Sequence, residues 1–133
     1  MLTWRGVETN NDELGPTALE SEPRIEQVFV APDADLDGES FDRLLYEARR
    51  AVETRIEDTR PPGGGRFYVC SLDRKTVVYK GLLTAEQLVD YFPELSDERV
   101  ASTFAMVHAR FSTHPLGAWP LAHPYRNIIQ HRQ

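Results

Sequence analysis

The run HARFSTHPLGAWPLAHPYR, residues 108–126, gathers three histidines, three prolines and two arginines directly behind an apolar stretch. Arg110 is the residue in it with the most defined chemistry. A guanidinium at the end of an apolar strand is costly unless a carboxylate or phosphate meets its fork with two parallel hydrogen bonds. Two readings follow: an internal salt bridge to one of the chain's 21 acids, or recognition of an anionic ligand. The histidines at 108, 114, 123 and 131 are spaced too loosely for a two-histidine zinc helix, and a chain with one cysteine offers no second thiolate to complete a mixed set. No metal site is expected.

Three other stretches invite a chemical reading and lose it on inspection. Asp33, Asp35, Asp37 and Gly38 match the first half of a calcium loop, but Leu44 stands where the bidentate glutamate belongs, so the carboxylates are read as favouring the start of the following helix. Cys70 lies inside a β-branched and aromatic run with no neighbouring histidine or helix N-terminus to activate it, which predicts a packing role and argues against an independent cysteine enzyme. TRPPGGG at 59–65 lacks the Gly-Lys-Ser/Thr ending of a phosphate loop and leads into a strand, so it is read as a connection that stops a helix.

The elements that must position Arg110 follow from periodicity. Residues 10–24 show no sustained period and read as an extended surface segment; 24–32 read as a short strand stopped by Pro32. Phe41, Leu44, Leu45, Ala48, Val52 and Ile56 recur at helical spacing over 40–58, with Ser40 as expected N-cap and Arg43, Glu47, Arg50 and Glu53 on the polar face. RFYVCSL and TVVYKGLL, split by Asp73, Arg74 and Lys75, predict a hairpin. A short helix is predicted over 84–92, where Thr84 and Gln87 have capping-box spacing and Leu83 and Leu88 that of a hydrophobic staple. Strands are expected over 102–111 and 124–130.

Composition bounds the function. At 133 residues the chain suits one domain, and no apolar run approaches the roughly 20 residues of a membrane span, so a cytoplasmic protein without a membrane partner is expected. Residues 1–60 hold 15 acids against 7 bases, a balance that repels nucleic acid. Thirteen of the 15 basic residues are arginine, a bias that adaptation to concentrated salt and simple base-composition drift would both produce.

His108-Ala109-Arg110-Phe111-Ser112-Thr113-His114, followed by Trp119-Pro120-Leu121-Ala122-His123-Pro124-Tyr125-Arg126, resembles the glutaminase domain of the glutamate synthase large subunit, a class II glutamine amidotransferase. FYVCSLDRKTVVYKGLLTAEQLVDYFPELSD and WRGVETNNDELGPTALESEPRIEQVFV are similar to the family's earlier segments, so the resemblance covers nearly the whole chain. It implies an α+β fold, part of an N-terminal-nucleophile hydrolase α/β/β/α sandwich with mostly antiparallel sheets, occupying residues 1–133. It also implies glutamine hydrolysis, with the ammonia passed on to make glutamate from 2-oxoglutarate. Arg110 matches the arginine that holds the glutamine α-carboxylate, with Ser112 and Thr113 beside it in the substrate-binding run.

The departures shape the rest of the expectation. His114 stands where the family has asparagine. No residue matches the family's amino-terminal cysteine, and after Arg126 the chain reads Asn127-Ile128-Ile129, without the Asn-Gly pair of the oxyanion hole. Loss of one oxyanion donor costs about 10²–10³ in rate, and loss of the nucleophile removes the covalent route. The expectation is therefore a fragment of the domain with no catalytic residue of its own and no turnover alone. The flavin (FMN) and iron–sulfur cluster of the family belong to other regions, so no cofactor is expected in this chain, and its partners would be glutamine and the remainder of a glutamate synthase. A non-catalytic binding or assembly module, complementing a separately encoded remainder of the domain, is the other reading.

Overall fold

The structure, a computed structural model, describes residues 1–109 and 117–122, the Arg66 side chain excepted. The chain opens on a strand that periodicity did not single out. β1, Leu2–Gly6, pairs antiparallel with β2, Glu26–Val30, in the register Leu2 to Val30 through Gly6 to Glu26. Beyond its two ends the Ala31 N–H donates to the Met1 carbonyl and the Val7 N–H to the Ile25 carbonyl, each at 3.0 Å. β-Branched and aromatic residues suit this pleated ribbon, and β2 matches the strand predicted over 24–32. Much of its apolar surface faces outward: Trp4 is 61% exposed and Phe29 53%. The Arg5 guanidinium lies 5.6 Å over the Phe29 ring and donates through Nε to Gln27 Oε1 at 2.8 Å.

Between the strands the expected extended segment contains a helical turn, α1, Pro16–Glu20. Pro16 occupies its first position, where a fixed φ and a missing N–H do no harm. The Ala18 and Leu19 N–H groups reach back to the Gly15 carbonyl at 3.0 and 3.1 Å. A five-residue helix is too short to show a period, so only the Gly-Pro start marks it.

α2, Gly38–Thr59, is the long helix that the spacing predicts, but its N-cap is Asp37 and not Ser40. Asp37 Oδ1 accepts from the Ser40 N–H at 2.8 Å and Oδ2 from the Ser40 hydroxyl at 3.2 Å, which places Ser40 at the third helical position. Asp37, part of the calcium-like run, is thus a helix cap. Arg60 closes the helix with φ +42°, its N–H on the Ile56 carbonyl at 2.9 Å, and Pro61 and Pro62 follow. Phe41 and Leu45 of the apolar stripe are buried, whereas Leu44 and Val52 stay about half exposed. Arg49 and Arg50 both reach Glu53 at 2.9 Å. Arg74 ties the helix to the following segment with a two-pronged pair to Asp42, 3.2 Å on each side. That guanidinium lies flat on Gly38, where a Cβ would come within 2.8 Å of it.

The predicted hairpin is present as a turn and absent as a ladder. Asp73 Oδ1 accepts from the Lys75 and Thr76 N–H groups at 2.8 and 3.0 Å, so the chain reverses where expected. Side chains then take the place of backbone pairing: the Val78 N–H donates to Ser71 Oγ at 3.2 Å and the Cys70 thiol to the Val78 carbonyl at 3.4 Å. The runs on either side form no strand.

α3 is confined to Gln87–Tyr91, shorter than the span predicted, with the capping box in place before it: the Thr84 N–H donates to Gln87 Oε1 at 2.9 Å, and the Gln87 N–H to Thr84 Oγ1 at 3.4 Å. Leu83 and Leu88, the expected staple, both pack on the core. Residues 102–109 are irregular where a strand was expected, with Phe104 and Val107 exposed and Ser102 turning its hydroxyl onto the Phe104 carbonyl at 2.7 Å. Nothing among the described residues pairs with that segment as a strand. Residues 110 and 111, and the strand expected over 124–130, lie outside the described residues.

The core is aromatic. Leu14 and Ala18 meet Tyr91, Phe92 and Trp119, with Ile25, Tyr79, Leu82, Leu83 and Leu88 packed around them. Tyr91 and Phe92 stand edge to face at 4.7 Å and 87°, and Tyr79 meets Phe92 edge-on at 5.2 Å, the arrangement that ring quadrupoles favour. The described residues are therefore α+β with one antiparallel pair of strands; a four-layer sandwich is not what they form.

The cap on α2 has a pH signature. Hydrogen bonds from the Ser40 N–H and then its hydroxyl hold the Asp37 carboxyl below its ordinary value. A lowered folded-state value means that the contribution is fully present above the unfolded value, about 4, and is lost as pH falls through the folded one. Asp37→Ala is expected to lower the thermal midpoint at pH 7, followed by circular dichroism at 222 nm, and its deficit against the parent should close as the solution is acidified below the ordinary carboxylate range.

Candidate functional site

Arg110, Ser112 and Thr113, the residues singled out for substrate binding, lie outside the described residues, as do His114, His123, Asn127 and His131. What the structure shows is how the start of the second half of the 108–126 run is held. Trp119–Leu121 forms a 3₁₀ turn, with the Leu121 N–H on the Ala118 carbonyl at 2.9 Å and the Ala122 N–H on the Trp119 carbonyl at 3.3 Å. Pro120 sits early in the turn, where its ring sets the backbone and its missing N–H costs nothing.

Four residues from distant parts of the sequence grip this turn. The Trp119 indole is 2% exposed, and its N–H donates to the Ala18 carbonyl of α1 at 3.1 Å. Its ring lies 5.5 Å from that of Tyr91, tilted by 46°. On the far side it presses on Gly81, where a Cβ would stand 2.6 Å from the indole Cζ3. Beside that glycine, Lys80 is buried at 7% exposure and donates from Nζ to the Pro120 carbonyl at 2.7 Å. Tyr91 is itself fixed: its hydroxyl donates to Glu22 Oε1 at 2.7 Å, and Glu22 accepts from the Asn11 amide at 2.9 Å through its other oxygen.

Lys80 is the residue that sequence reasoning passed over. Its signal is there to read: one of only two lysines, set in the otherwise apolar run TVVYKGLL. Burial presses its charge toward the neutral form. The ammonium also lies 5.3 Å over the Tyr68 ring, a cation–π distance. Burial, with the nearby thiol second, pushes the Tyr68 hydroxyl up to about 12, so it stays protonated at neutral pH.

Cys70 shares this neighbourhood and is held as a proton-bearing group. Desolvation raises its thiol above the ordinary value, outweighing the opposite pull of Lys80 and Arg49, and the S–H is directed at the Val78 carbonyl. A nucleophilic cysteine needs the reverse environment. No group of three or more His, Cys, Asp or Glu side chains among the described residues could hold a metal ion.

The turn lies in the stretch that carries the family-like pattern, and comparison with known proteins shows the family of the chain as a whole. The family model for class-II glutamine amidotransferases matches residues 1–132, so the chain belongs to that family. Within it, the relatives are glutamate synthases. The chain is 40% identical over 125 residues to the NADPH glutamate synthase large chain of Azospirillum brasilense and 42% over 130 residues to that of Bacillus subtilis, covering 94% and 97% of this chain. It is 43% identical over 128 residues to the NADH glutamate synthase of Schizosaccharomyces pombe, covering 95%. It spans 8% of the length of the first two and 6% of the third.

Two measurements check this description. Trp119→Ala is expected to destabilise the chain by about 3–5 kcal/mol in urea unfolding, the cost of deleting a fully buried large aromatic. Cys70 is expected to react with iodoacetamide at pH 8 several-fold more slowly than a model peptide thiol, and at the peptide rate once guanidinium has unfolded the chain.

Proposed function

We propose that these residues form part of a class-II glutaminase domain of glutamate synthase type and supply the carboxylate end of its glutamine site. Arg110 meets the substrate α-carboxylate with its planar fork, and Ser112 and Thr113 offer hydroxyls beside it. The observation that carries this is the family match over residues 1–132, which includes the Arg-Phe-Ser-Thr run. The Trp119–Leu121 turn, anchored by the buried Trp119, supports it, because a chain that presents a charged fork to a small ligand needs a fixed segment close to it in sequence. The four-layer nucleophile-hydrolase sandwich is the fold this membership implies for the whole domain.

Within residues 1–133 the division of labour is binding without bond cleavage. Cys70 is the one thiol, and its surroundings hold it protonated. We assign no turnover to these residues by themselves. An iron–sulfur cluster takes about four thiolate ligands, which one cysteine cannot supply, so we assign no such cluster to these residues. Ammonia transfer and glutamate formation, if they accompany this domain, are the work of other regions.

Calorimetric titration of the full chain with L-glutamine tests the assignment. Removing one partner of a charge-assisted pair costs about 1.5–3 kcal/mol, so Arg110→Ala should weaken binding by about 10- to 150-fold, and Arg110→Lys should recover only part, having lost the fork. Ammonia release by the parent chain should not exceed that of Arg110→Ala. Equal affinity in parent and Arg110→Ala would sink the assignment.

A further inference from the structure

We propose that the Asp37–Gly38 linkage is a latent modification site, where the main chain passes through a cyclic imide to an isoaspartyl bond, and that the contacts starting α2 hold it unreactive.

Asp37 is the one aspartate or asparagine of the chain that is followed by glycine. A glycine nitrogen attacks the preceding side-chain carboxyl most readily, because no Cβ crowds its approach and its backbone turns freely. Attack of the Gly38 nitrogen on Asp37 Cγ forms a C–N bond and closes a five-membered ring, and the amide proton leaves with the carboxyl hydroxyl as water. Water then reopens the ring at either carbonyl. Opening at Cγ restores aspartate; opening at the main-chain carbonyl routes the chain through the side chain and leaves a free α-carboxylate. One water is lost and one regained, so neither an oxidant nor a cofactor is needed.

In the folded chain the two reacting groups are held by different contacts. The exposed carboxylate is turned forward onto the helix, with Oδ1 on the Ser40 N–H at 2.8 Å and Oδ2 on the Ser40 hydroxyl at 3.2 Å. The same bonds keep it ionised, the form with no hydroxyl to expel. Ring closure requires Cβ and the Gly38 nitrogen to come nearly eclipsed about the Cα–C bond, whereas the extended backbone of Asp37, at ψ 165°, keeps them apart. Gly38 is clamped from its own side: the Arg74 guanidinium lies within 2.8 Å of where a Cβ would stand, and Asp42 holds that guanidinium by both prongs at 3.2 Å. Turning the Asp37–Gly38 peptide toward the carboxyl presses on Arg74. The product cannot cap, because the added main-chain carbon and the displaced carboxylate leave the Ser40 N–H without its acceptor. Opening of the first turn of α2 therefore exposes a bond whose rearrangement prevents the turn from reforming.

The test follows isoaspartate in the full chain at neutral pH and 37 °C, by methyl transfer from S-adenosylmethionine with an isoaspartyl carboxyl methyltransferase, and locates it by fragmenting the tryptic peptide of residues 25–43. The parent is expected to accumulate it slowly, at position 37, and about tenfold or more faster once guanidinium has unfolded the chain, since the ring closes only in opened molecules. Ser40→Ala and Arg74→Ala, each read at helical circular dichroism equal to the parent's, should speed the folded chain several-fold, and more in combination. If Arg74→Ala loses that helical signal, Asp42→Asn loosens the same guanidinium. Asp37→Ser, which caps without a carboxyl, should give none at that position. Equal rates in folded and unfolded parent overturn the proposal, as does an unfolded chain that forms none, or forms it at Asp33, Asp35 or Asp42 in place of Asp37. Folded Ser40→Ala and Arg74→Ala chains that both react at the parent rate overturn it as well.

Discussion

The burial of one indole governs the described architecture. Trp119 comes from late in the sequence and is enclosed by α1, α3 and the Lys80–Gly81 corner, so three segments lying up to 101 residues from it share a single side chain. Tyr91 and Phe92 complete the enclosure, and the edge-to-face contact of Tyr91 with Phe92 and its tilted contact with Trp119 give the cluster a definite geometry as well as apolar area. Each polar atom brought in with the rings has a partner: the indole N–H meets a carbonyl and the Tyr91 hydroxyl a carboxylate. That pairing is what makes so aromatic a centre affordable in free energy.

A second set of contacts organises the outer parts. Glu94 accepts from the Tyr79 hydroxyl at 2.7 Å through one oxygen and from Arg5 through the other, joining the β1–β2 ribbon to the segment that carries Lys80. Arg74 does the same for α2 by way of Asp42. These pairs are at least partly exposed and contribute modestly one by one. Their value is directional, because they hold ribbon and helix against a core that touches little of either. The outward-facing Trp4 and Phe29, and the half-exposed stripe of α2, are the visible result.

Sequence patterning reached some of this and missed the rest for identifiable reasons. α2 was legible because about six turns of helix show a period, yet its cap was misassigned: Asp37 and Ser40 are both good caps three residues apart, and only geometry shows that Ser40 is the recipient. The Thr84–Gln87 box was legible because it is a local rule between two side chains. β1 and α1 escaped because five residues are too few for a period to emerge. The hairpin pattern located the turn at Asp73, but strand pairing depends on neighbours that local composition does not specify, and side chains of Ser71 and Cys70 took over the bonds instead. At the site, Arg110 stood out because a charge beside apolar residues is conspicuous. Lys80 did not, because what it does depends on a carbonyl 40 residues away.

The two hydrogen bonds that seat the Trp119 turn are alike in one respect: each has a side-chain donor and a main-chain acceptor. A carbonyl is provided by whatever amino acid occupies a position, so Ala18 is limited by the space it fills and Pro120 by the bend it makes, and neither by its bonding. The chemical requirement falls wholly on the tryptophan and the lysine. When this segment drifts over evolutionary time, those two should resist replacement while the residues they hold on to vary within limits of size and shape, and an analysis of paired changes would see only one member of each bond.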